Sequence, residues 1–216
     1  SKEKAGYAAE VKLERIKHVK SGKIGEAVFW NRWLGDGKLV LREKVRLVFT
    51  PLKDRQMLVD YDVDLHAGDA PVHFGDQKDG GFMVRVAGTM KVAGGKGTIL
   101  NSRGNRNADA WGKRAEWADY YGPDASGKTV GIAIFDHPSN LRFPAHWHAR
   151  TYGLITANRF GIGRFEAKKG AKRWDGNYTI SPGKSLKLRH RIYFHHGTTE
   201  AAKVAEEYKA YVGKVT

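Results

Sequence analysis

The feature that most constrains the fold is a pair of alternating runs joined by a short turn. Apolar residues recur mostly at every second position, first in one run and then in the other: Leu39, Leu41, Val45, Leu47 and Phe49, followed by Met57, Val59, Tyr61, Val63 and Leu65. Alternate residues of a strand share a face, so each run has one apolar and one polar side. The pattern predicts a long antiparallel hairpin with one face in water.

The polar sides of the two runs carry opposite charges. Basic residues lie on the first run and acidic residues on the second: Arg42, Lys44 and Arg46 against Asp60, Asp62 and Asp64. Because facing residues of antiparallel strands interact, the sequence predicts cross-strand ion pairs.

The rest of the chain predicts more strands and one helix. Short segments bounded by Gly, Pro and Asp turns are typical of strands: 11–16, 26–33, 81–86, 114–121, 129–135, 178–180 and 186–194. Helical spacing occurs only near the end, over residues 201–211, behind Thr198 or Thr199 as a capping residue. The predicted fold class is therefore all-β: an antiparallel β-sandwich with a C-terminal helix, of which the galactose-mutarotase-like supersandwich is one version. We expect residues 1–216 to form a single domain.

Composition narrows the classes of function. The chain has no Cys, which excludes disulfides, thiolate metal sites and cysteine nucleophiles. No apolar run reaches the roughly 18 residues of a membrane-spanning helix. The net charge of +15 attracts polyanions in general, acidic polysaccharides included. The basic residues are scattered and no nucleic-acid-binding motif accompanies them, so a dedicated nucleic-acid binder is not expected.

Candidate site residues are densest in the segment FDHPSNLRFPAHWHAR, residues 135–150. On an extended chain, His146 and His148 point to one side and Trp147 to the other. Two such rings can bind a substrate or, with His137 or Asp136 as a third ligand, a Zn, Cu or Fe ion. Structural hydrogen bonds are the alternative, and the sequence identifies no cofactor.

His137 follows a predicted strand, a common position for site residues. Asp136 could orient the His137 ring and raise its basicity. Asp136 could equally form an Asx turn before Pro138. Asn140 and Arg150, in the same segment, are candidate substrate ligands.

The loop GDQKDGGF, residues 75–82, is a second candidate region. Its glycines permit close backbone approach to a ligand, and Lys78 could bind an anionic group. A solvated turn is the alternative.

The segment WGKRAEWADYY, residues 111–121, mixes aromatic rings with both signs of charge. That mixture suits sugar rings, with Arg114 and Trp117 as ligands, but it also suits an ordinary sheet. Glu116 and Asp119 point to opposite faces of a regular strand and make a poor carboxylate pair. Farther along, we interpret His195 and His196 as turn and surface residues.

A resemblance to one bacterial family runs along the chain in order. It is carried by PVHFGDQKDGGFMVRVA, AWGKRAEWADYYGP, VGIAIFDHPSN, HWHARTYGLITANRFG and SPGKSLKLRHRIYFHHG. The chain resembles a family of unknown function (DUF6807-type) that is labelled methane oxygenase PmoA-like. The resemblance implies a β-sandwich and a role in carbohydrate metabolism, and it assigns no catalytic residue. The label implies a copper-dependent membrane subunit, which the lack of a spanning segment argues against. Because members are longer at the N-terminus, with a histidine-rich stretch there, we expect the chain to be the C-terminal two-thirds or a processed form.

Three functions compete. The first is a carbohydrate-active enzyme acting on a glycoside or oxidised sugar by hydrolysis, elimination or isomerisation. Its catalytic groups would be His137, His146 and His148. Its substrate ligands would be Lys78, Arg114, Trp117, Asn140 and Arg150. The basic surface would favour an acidic glycan, and the periplasm or secretion is the favoured location.

The second function is a non-catalytic sugar-binding sandwich that presents an aromatic platform formed by Trp111, Trp117 and Trp147. The third is a metal-dependent oxygenase that uses His137, His146 and His148. Oligomeric state does not follow from the sequence.

Overall fold

The computed structural model describes residues 9–167 and 175–213, which form thirteen strands and two α-helices. Eight strands make one antiparallel sheet: β1 (Ala9–Lys20), β2 (Gly25–Gly35), β3 (Lys38–Pro51), β4 (Met57–Ala67), β7 (Thr98–Asn101), β8 (Trp117–Pro123), β9 (Thr129–Asp136) and β13 (Ser185–His196). Their order across the sheet is β1-β2-β3-β4-β13-β9-β8-β7.

Two small antiparallel sheets cover one face of this large sheet. The first consists of β6 (Phe82–Arg85), β10 (His146–Trp147) and β11 (Leu154–Asn158), and the second of β5 (Val72–Phe74) and β12 (Tyr178–Ile180). The short helix α1 (Ile162–Phe165) follows β11, and the C-terminal helix α2 (Val204–Val212) packs on the other face of the large sheet. The prediction of an antiparallel, sandwich-like all-β fold with a C-terminal helix is confirmed. Among the described residues, no helix is long and apolar enough to cross a membrane.

The predicted hairpin is formed by β3 and β4. Lys44 faces Asp64 and Arg46 faces Asp62 in the register of the two strands. Arg46 Nη1 lies 3.2 Å from Asp62 Oδ2, and Lys44 Nζ lies 4.0 Å from Asp64 Oδ2. Two of the predicted cross-strand ion pairs are therefore present on this face, where water limits their contribution to stability. The remaining residues pair elsewhere, Arg42 with Glu14 and Asp60 with Arg191.

Each covering layer encloses its own apolar cluster. The cluster between the first small sheet and the large sheet contains Ile99, Tyr120, Ile134, Trp147 and Ile155, all fully buried. The cluster at the second small sheet contains Leu41, Val45, Val63, Phe160 and Ile180. Helix α2 covers a third cluster that includes Trp117, Phe135, Tyr193, Val204 and Tyr211. The large sheet is thus buried on both faces at its centre.

The start of α2 differs from the prediction. The helix begins at Val204, and no side chain caps it. Thr199 does not act as the capping residue, because its hydroxyl donates to Asp119 Oδ2 at 2.7 Å. Thr198 Oγ1 accepts only a long hydrogen bond of 3.3 Å from the backbone N–H of Ala201.

The interpretation of His195 as a surface residue is wrong. The residue is buried, with its Nε2 3.1 Å from Asp119 Oδ1. Its ring lies across Gly131, where a Cβ atom would come within 2.2 Å of the imidazole. The missing side chain at Gly131 therefore creates the space that the ring fills.

Candidate functional site

A groove of about 860 Å³ opens over the apolar face of the large sheet, next to β5 and β6. Its floor is made by β3, β4 and β13 through Leu41, Glu43, Tyr61, Val63, Leu65, Leu188 and His190. Its walls include Val72, Phe74, Phe82, Met83, Phe160 and the loop 75–81. A concave, mainly apolar space with a few polar groups is the usual form of a small-molecule site.

The polar groups of the floor lie toward two ends. Tyr61 on β4 faces His190 on β13, whereas Glu43 on β3 faces Leu65 on β4. The two positions are four steps apart along β4, from Tyr61 to Leu65, which corresponds to about 13 Å. Val63 lies between them, so the centre of the floor is apolar.

His190 occupies one end as an imidazole without hydrogen-bond partners. It is 1% exposed, and neither ring nitrogen has a partner among the described residues. Its ring stacks on Phe82 with a centroid separation of 4.7 Å. Burial, reinforced by the positive charge of Arg159, holds the pKa of His190 well below its ordinary value. The ring is therefore neutral at pH 7, with one nitrogen able to donate and the other able to accept.

Glu43 occupies the other end as a buried carboxylate with neutral donors. It is 7% exposed, and its Oε2 accepts hydrogen bonds from Asn31 Nδ2 at 2.9 Å and Trp33 Nε1 at 3.1 Å. Burial, followed by the negative charge of Glu43, raises the pKa of Tyr61 to about 12. The Tyr61 phenol therefore keeps its proton at neutral pH and can donate it in a hydrogen bond.

The loop 75–81 forms the rim and is held against β11. Asn158 Nδ2 donates to the carbonyl oxygens of Gln77 and Lys78, each at 2.9 Å. Gly81 has φ 106°, and a Cβ atom there would lie 2.2 Å from the carbonyl oxygen of Ala157. Close approach to β11 therefore requires glycine at this position.

Two of the predicted site residues, His146 and His148, lie together on the outer side of the first small sheet. His146 Nε2 is 2.8 Å from Glu166 Oε1, and the ring stacks on Phe165 at 5.5 Å. His148 Nε2 is 3.9 Å from Asp79 Oδ1. Because Asp79 also lines the groove, the loop 75–81 separates this pair of histidines from the groove.

Burial lowers the pKa values of both histidines. For His146 the hydrogen bond to Glu166 acts in the opposite direction, and for His148 the charge of Arg150 lowers the pKa further. Three buried polar atoms near this pair have no partner among the described residues: His148 Nδ1, Trp111 Nε1 and Thr156 Oγ1. Lys78, another predicted ligand, is on the neighbouring rim, with Nζ 2.6 Å from Asp79 Oδ2.

His137 does not join the other two histidines. Its ring makes an edge contact with Tyr211 of α2 at 5.4 Å, and its Nδ1 is 2.7 Å from the hydroxyl of Ser139. It therefore lies on the helix-covered face of the large sheet. Asp136, the preceding residue, points to the opposite face, since successive residues of a strand alternate. There Asp136 forms a buried ion pair with Arg159 and does not orient His137.

Two predicted substrate ligands are occupied by contacts within the protein. Asn140 Nδ2 donates to Asp136 Oδ1 at 2.7 Å and to the carbonyl oxygen of Arg189 at 2.6 Å. Arg114 Nε donates to the carbonyl oxygen of Pro144 at 3.0 Å, and its Nη2 donates to the two preceding carbonyls. Arg150 packs over the ring of Tyr152, with its guanidinium 5.2 Å from the ring centre.

The three tryptophans of the predicted platform are not arranged as one. Trp117 is buried beneath α2. Trp147 is fully buried, and its Nε1 donates to the carbonyl oxygen of Ala115 at 2.9 Å. Trp111 is half-buried and meets the edge of the Phe165 ring at 5.4 Å. The aromatic residues at the groove are instead Trp33, Tyr61, Phe74, Phe82 and Phe160.

Sequence reasoning did not identify Glu43 and His190 as site residues. Each is a polar residue on the apolar side of an alternating strand, Glu43 between Leu41 and Val45, and His190 between Leu188 and Ile192. Such an interruption is the signal that could have found them, because a polar group on a core face needs a partner or a ligand.

The described residues contain no group of three or more His, Asp or Glu side chains placed to hold a metal ion. Of the histidines that the oxygenase hypothesis requires, His137 lies on the helix-covered face of the large sheet, whereas His146 and His148 lie on the outer side of the first small sheet.

Comparison with known proteins gives one finding. The model of a family of unknown function (DUF6807) matches residues 1–209, and its description mentions no methane oxygenase. Neither the curated proteins nor the solved structures contain a significant match.

Proposed function

The chain belongs to the family of unknown function whose model spans residues 1–209, and from the geometry of its groove we propose that it is a carbohydrate-active enzyme. The observation that carries the proposal is the groove of about 860 Å³, with aromatic rings around it and buried polar groups in its floor. Sugars bind by stacking their C–H faces on aromatic rings and by hydrogen-bonding their hydroxyl groups.

The polar groups of the groove suit a sugar. The neutral ring of His190 can donate at one nitrogen and accept at the other, the Tyr61 phenol can donate, and Glu43 can accept. Apolar residues flank each of these polar groups on the floor of the groove. A sugar needs both kinds of contact, because it has apolar C–H faces as well as hydroxyl groups. Substrate binding in the groove would bring the sugar against Tyr61 and Phe82 at one end and Glu43 at the other. Contact with the buried nitrogens of His190 would require the Phe82 ring to move aside.

Among hydrolysis, elimination and isomerisation, the groove supports hydrolysis or isomerisation better. Glu43 is buried and Asp79 is exposed, and two carboxylates in different environments are the usual pair of a glycosidase. A neutral imidazole facing a phenol can relay a proton in an isomerisation. Elimination from a uronate needs a cation against the sugar carboxylate, and the described lining of the groove contains neither Lys nor Arg.

His146 and His148 can contribute to this site through Asp79, which separates them from the groove. Lys78 and Arg150 belong to the same neighbourhood, since both act electrostatically on His148. The proposal leaves out His137, Arg114, Trp117 and Asn140, which are engaged elsewhere in the fold.

A non-catalytic sugar-binding protein is the second candidate, and one observation favours it. A catalytic imidazole is normally oriented by a hydrogen bond to a third group, and His190 has no such partner among the described residues. Affinity for a saccharide without any product would support this candidate over the enzyme.

The test is to incubate the protein with a panel of oligosaccharides and to follow products by mass spectrometry. We expect a product to form, and its rate of formation to fall by about a hundredfold or more in His190→Gln, the usual effect of removing an acid–base group. His196→Asn, at an exposed position outside the groove lining, is the matched control and should keep most of the activity. A product that forms equally well in His190→Gln and in Glu43→Gln would contradict the assignment of the groove as the active site.

A further inference from the structure

The charge of the groove is opposite to that of the whole chain. The protein has a net charge of +15, with 38 Lys and Arg residues. Among the described residues, however, the groove is lined by two carboxylates, Glu43 and Asp79, and by no Lys or Arg. A random sample of this surface would bring several cations into contact with a groove of that size.

Two cations near the groove are already paired with carboxylates of the protein. Lys78, the nearest cation of the rim loop, has its Nζ 2.8 Å and 2.6 Å from the two oxygens of Asp79. Its charge is therefore already directed at a carboxylate of the protein. Arg159, which is buried, forms an ion pair with Asp136.

Glu43 has an incomplete set of partners. Both of its hydrogen bonds, from Asn31 and Trp33, fall on Oε2 and come from uncharged groups. In the part of the chain that the structure describes, Oε1 accepts no hydrogen bond from the protein and the carboxylate has no ion-pair partner, yet Oε1 is not among the fully buried atoms. A carboxylate that is 7% exposed loses much of its hydration, and a donor from a ligand would restore it.

We propose that Glu43 is the recognition point of the groove, and that the groove takes ligands which present hydroxyl or ammonium donors and rejects ligands which present a carboxylate. For the saccharide itself the inference rests on the proposed function: it names neutral and amino sugars as the substrate class, in place of the acidic glycan expected from composition. An anionic sugar brought to Glu43 would meet like charge at low exposure, with no described cation of the groove to offset it.

The first arm of the test does not depend on sugars. Three ligands share a phenyl ring and differ in the polar group: 2-phenylethanol, 2-phenylethylamine and 3-phenylpropionate. Trp33 reports on binding because its indole N–H both lines the groove and donates to Glu43. Titration is followed by the indole ¹H–¹⁵N signal, assigned with Trp33→Phe, at one fixed ionic strength.

We expect the amine and the alcohol to shift the Trp33 signal at concentrations at least about tenfold lower than those needed for the carboxylate. The reason is that the amine and the alcohol can donate a hydrogen bond to Glu43, whereas the carboxylate cannot. Glu43→Gln should remove the preference for the amine over the carboxylate. Glu200→Gln is the matched control, since it removes the same charge from an exposed position outside the groove. The ranking in the unaltered protein decides the question even if Glu43→Gln does not fold.

The second arm uses a β-1,4-linked glucose disaccharide and its glucosamine and glucuronate forms, with the same signal. Binding of the first two with weak binding of the third is the expected result. If the phenyl ligands rank as expected and no disaccharide binds, the inference stands and the proposed function fails. If the glucuronate form binds most tightly at the groove, the inference fails and the proposed function survives. Equal binding of the phenyl amine and carboxylate, or no response of Trp33 to any ligand, would also overturn the inference.

Discussion

His190 and Glu43 show how single residues mark a site in this fold. Both interrupt an apolar face, and both lack a full set of hydrogen bonds in the described structure. In contrast, several buried polar residues of the large sheet have partners within the protein, as His195 and Asp119 do. A buried polar group without a full set of partners at the wall of a groove can be satisfied by a ligand, and for this reason these two residues mark the candidate site.

The histidines predict a specific dependence of stability on pH. Burial lowers the pKa values of His137, His146, His148 and His190. The unfolded chain, with histidine pKa values of about 6.5, therefore binds more protons than the folded chain as the pH falls below that value. The free energy of unfolding should be fully retained above about pH 6.5 and should decrease below it.

Replacement of His190 by Phe tests this dependence, because Phe can preserve the stacking on Phe82 without titrating. Urea unfolding at about pH 7.5 and about pH 5.5 should show a loss that is smaller in His190→Phe than in the unaltered protein by on the order of 1 kcal/mol. His73→Phe, at the exposed rim, is the control. Identical losses of stability in His190→Phe and His73→Phe would show that His190 does not contribute to the pH dependence.

Gly131 gives a second prediction at the residue scale. A Cβ atom there would lie 2.2 Å from the His195 ring, which Asp119 fixes from the other side. Gly131→Ala should lower the free energy of unfolding by about 1–3 kcal/mol, the usual result of overpacking. Gly68→Ala has nothing within 4 Å of the added atom and should be close to neutral. Equal changes in the free energy of unfolding for Gly131→Ala and Gly68→Ala would mean that the His195 ring can move aside without cost.

At the scale of elements, helix α2 is held by its contacts with the sheet and not by its own ends. Its N-terminus has no side-chain cap, whereas Tyr211 is 8% exposed and Arg191 lies 4.6 Å above its ring. Tyr211→Ala should therefore lower the free energy of unfolding by about 3–5 kcal/mol, as for other buried aromatic residues. Lys209→Ala, on the exposed side of the same helix, should change it by less than about 0.5 kcal/mol. Denaturant unfolding compares the two, and a small effect of Tyr211→Ala would show that α2 docks by other contacts.

The long strands and two short ones, β6 and β12, could be predicted from the sequence, whereas β7, β10 and β11 could not. The hairpin of β3 and β4 can be predicted because alternation and charge agree along most of each strand. In contrast, β10 has two residues and β11 is buried throughout, so neither shows alternation. The face on which His137 lies follows from where α2 and the small sheets pack, and local spacing contains no such information. For the same reason the groove, which joins residues from β3, β4, β6 and β13, could not be located from any one segment.

At the scale of the whole molecule, the net positive charge of the chain and the carboxylates that line the groove favour different ligands. The excess of cations is spread over the exposed surface, including Lys44, Arg46, Lys187 and Arg189 on the outer face of the large sheet. Acidic residues, Asp62 and Asp64, alternate with them there. Long-range attraction of polyanions is therefore expected from the surface as a whole and not from a particular site.

This distinction can be measured with a sulfated polysaccharide as the polyanion. Its affinity should fall steeply as the salt concentration rises, because binding by scattered cations releases counterions and is screened within about 10 Å at 0.1 M salt. The same affinity should be found for Glu43→Gln, and a neutral disaccharide should not compete with the polysaccharide. Binding that resists salt and is displaced by the disaccharide would mean that the acidic glycan enters the groove after all. The expected result would assign acidic glycans to the basic surface and leave the groove, with its two carboxylates, to sugars that donate hydrogen bonds.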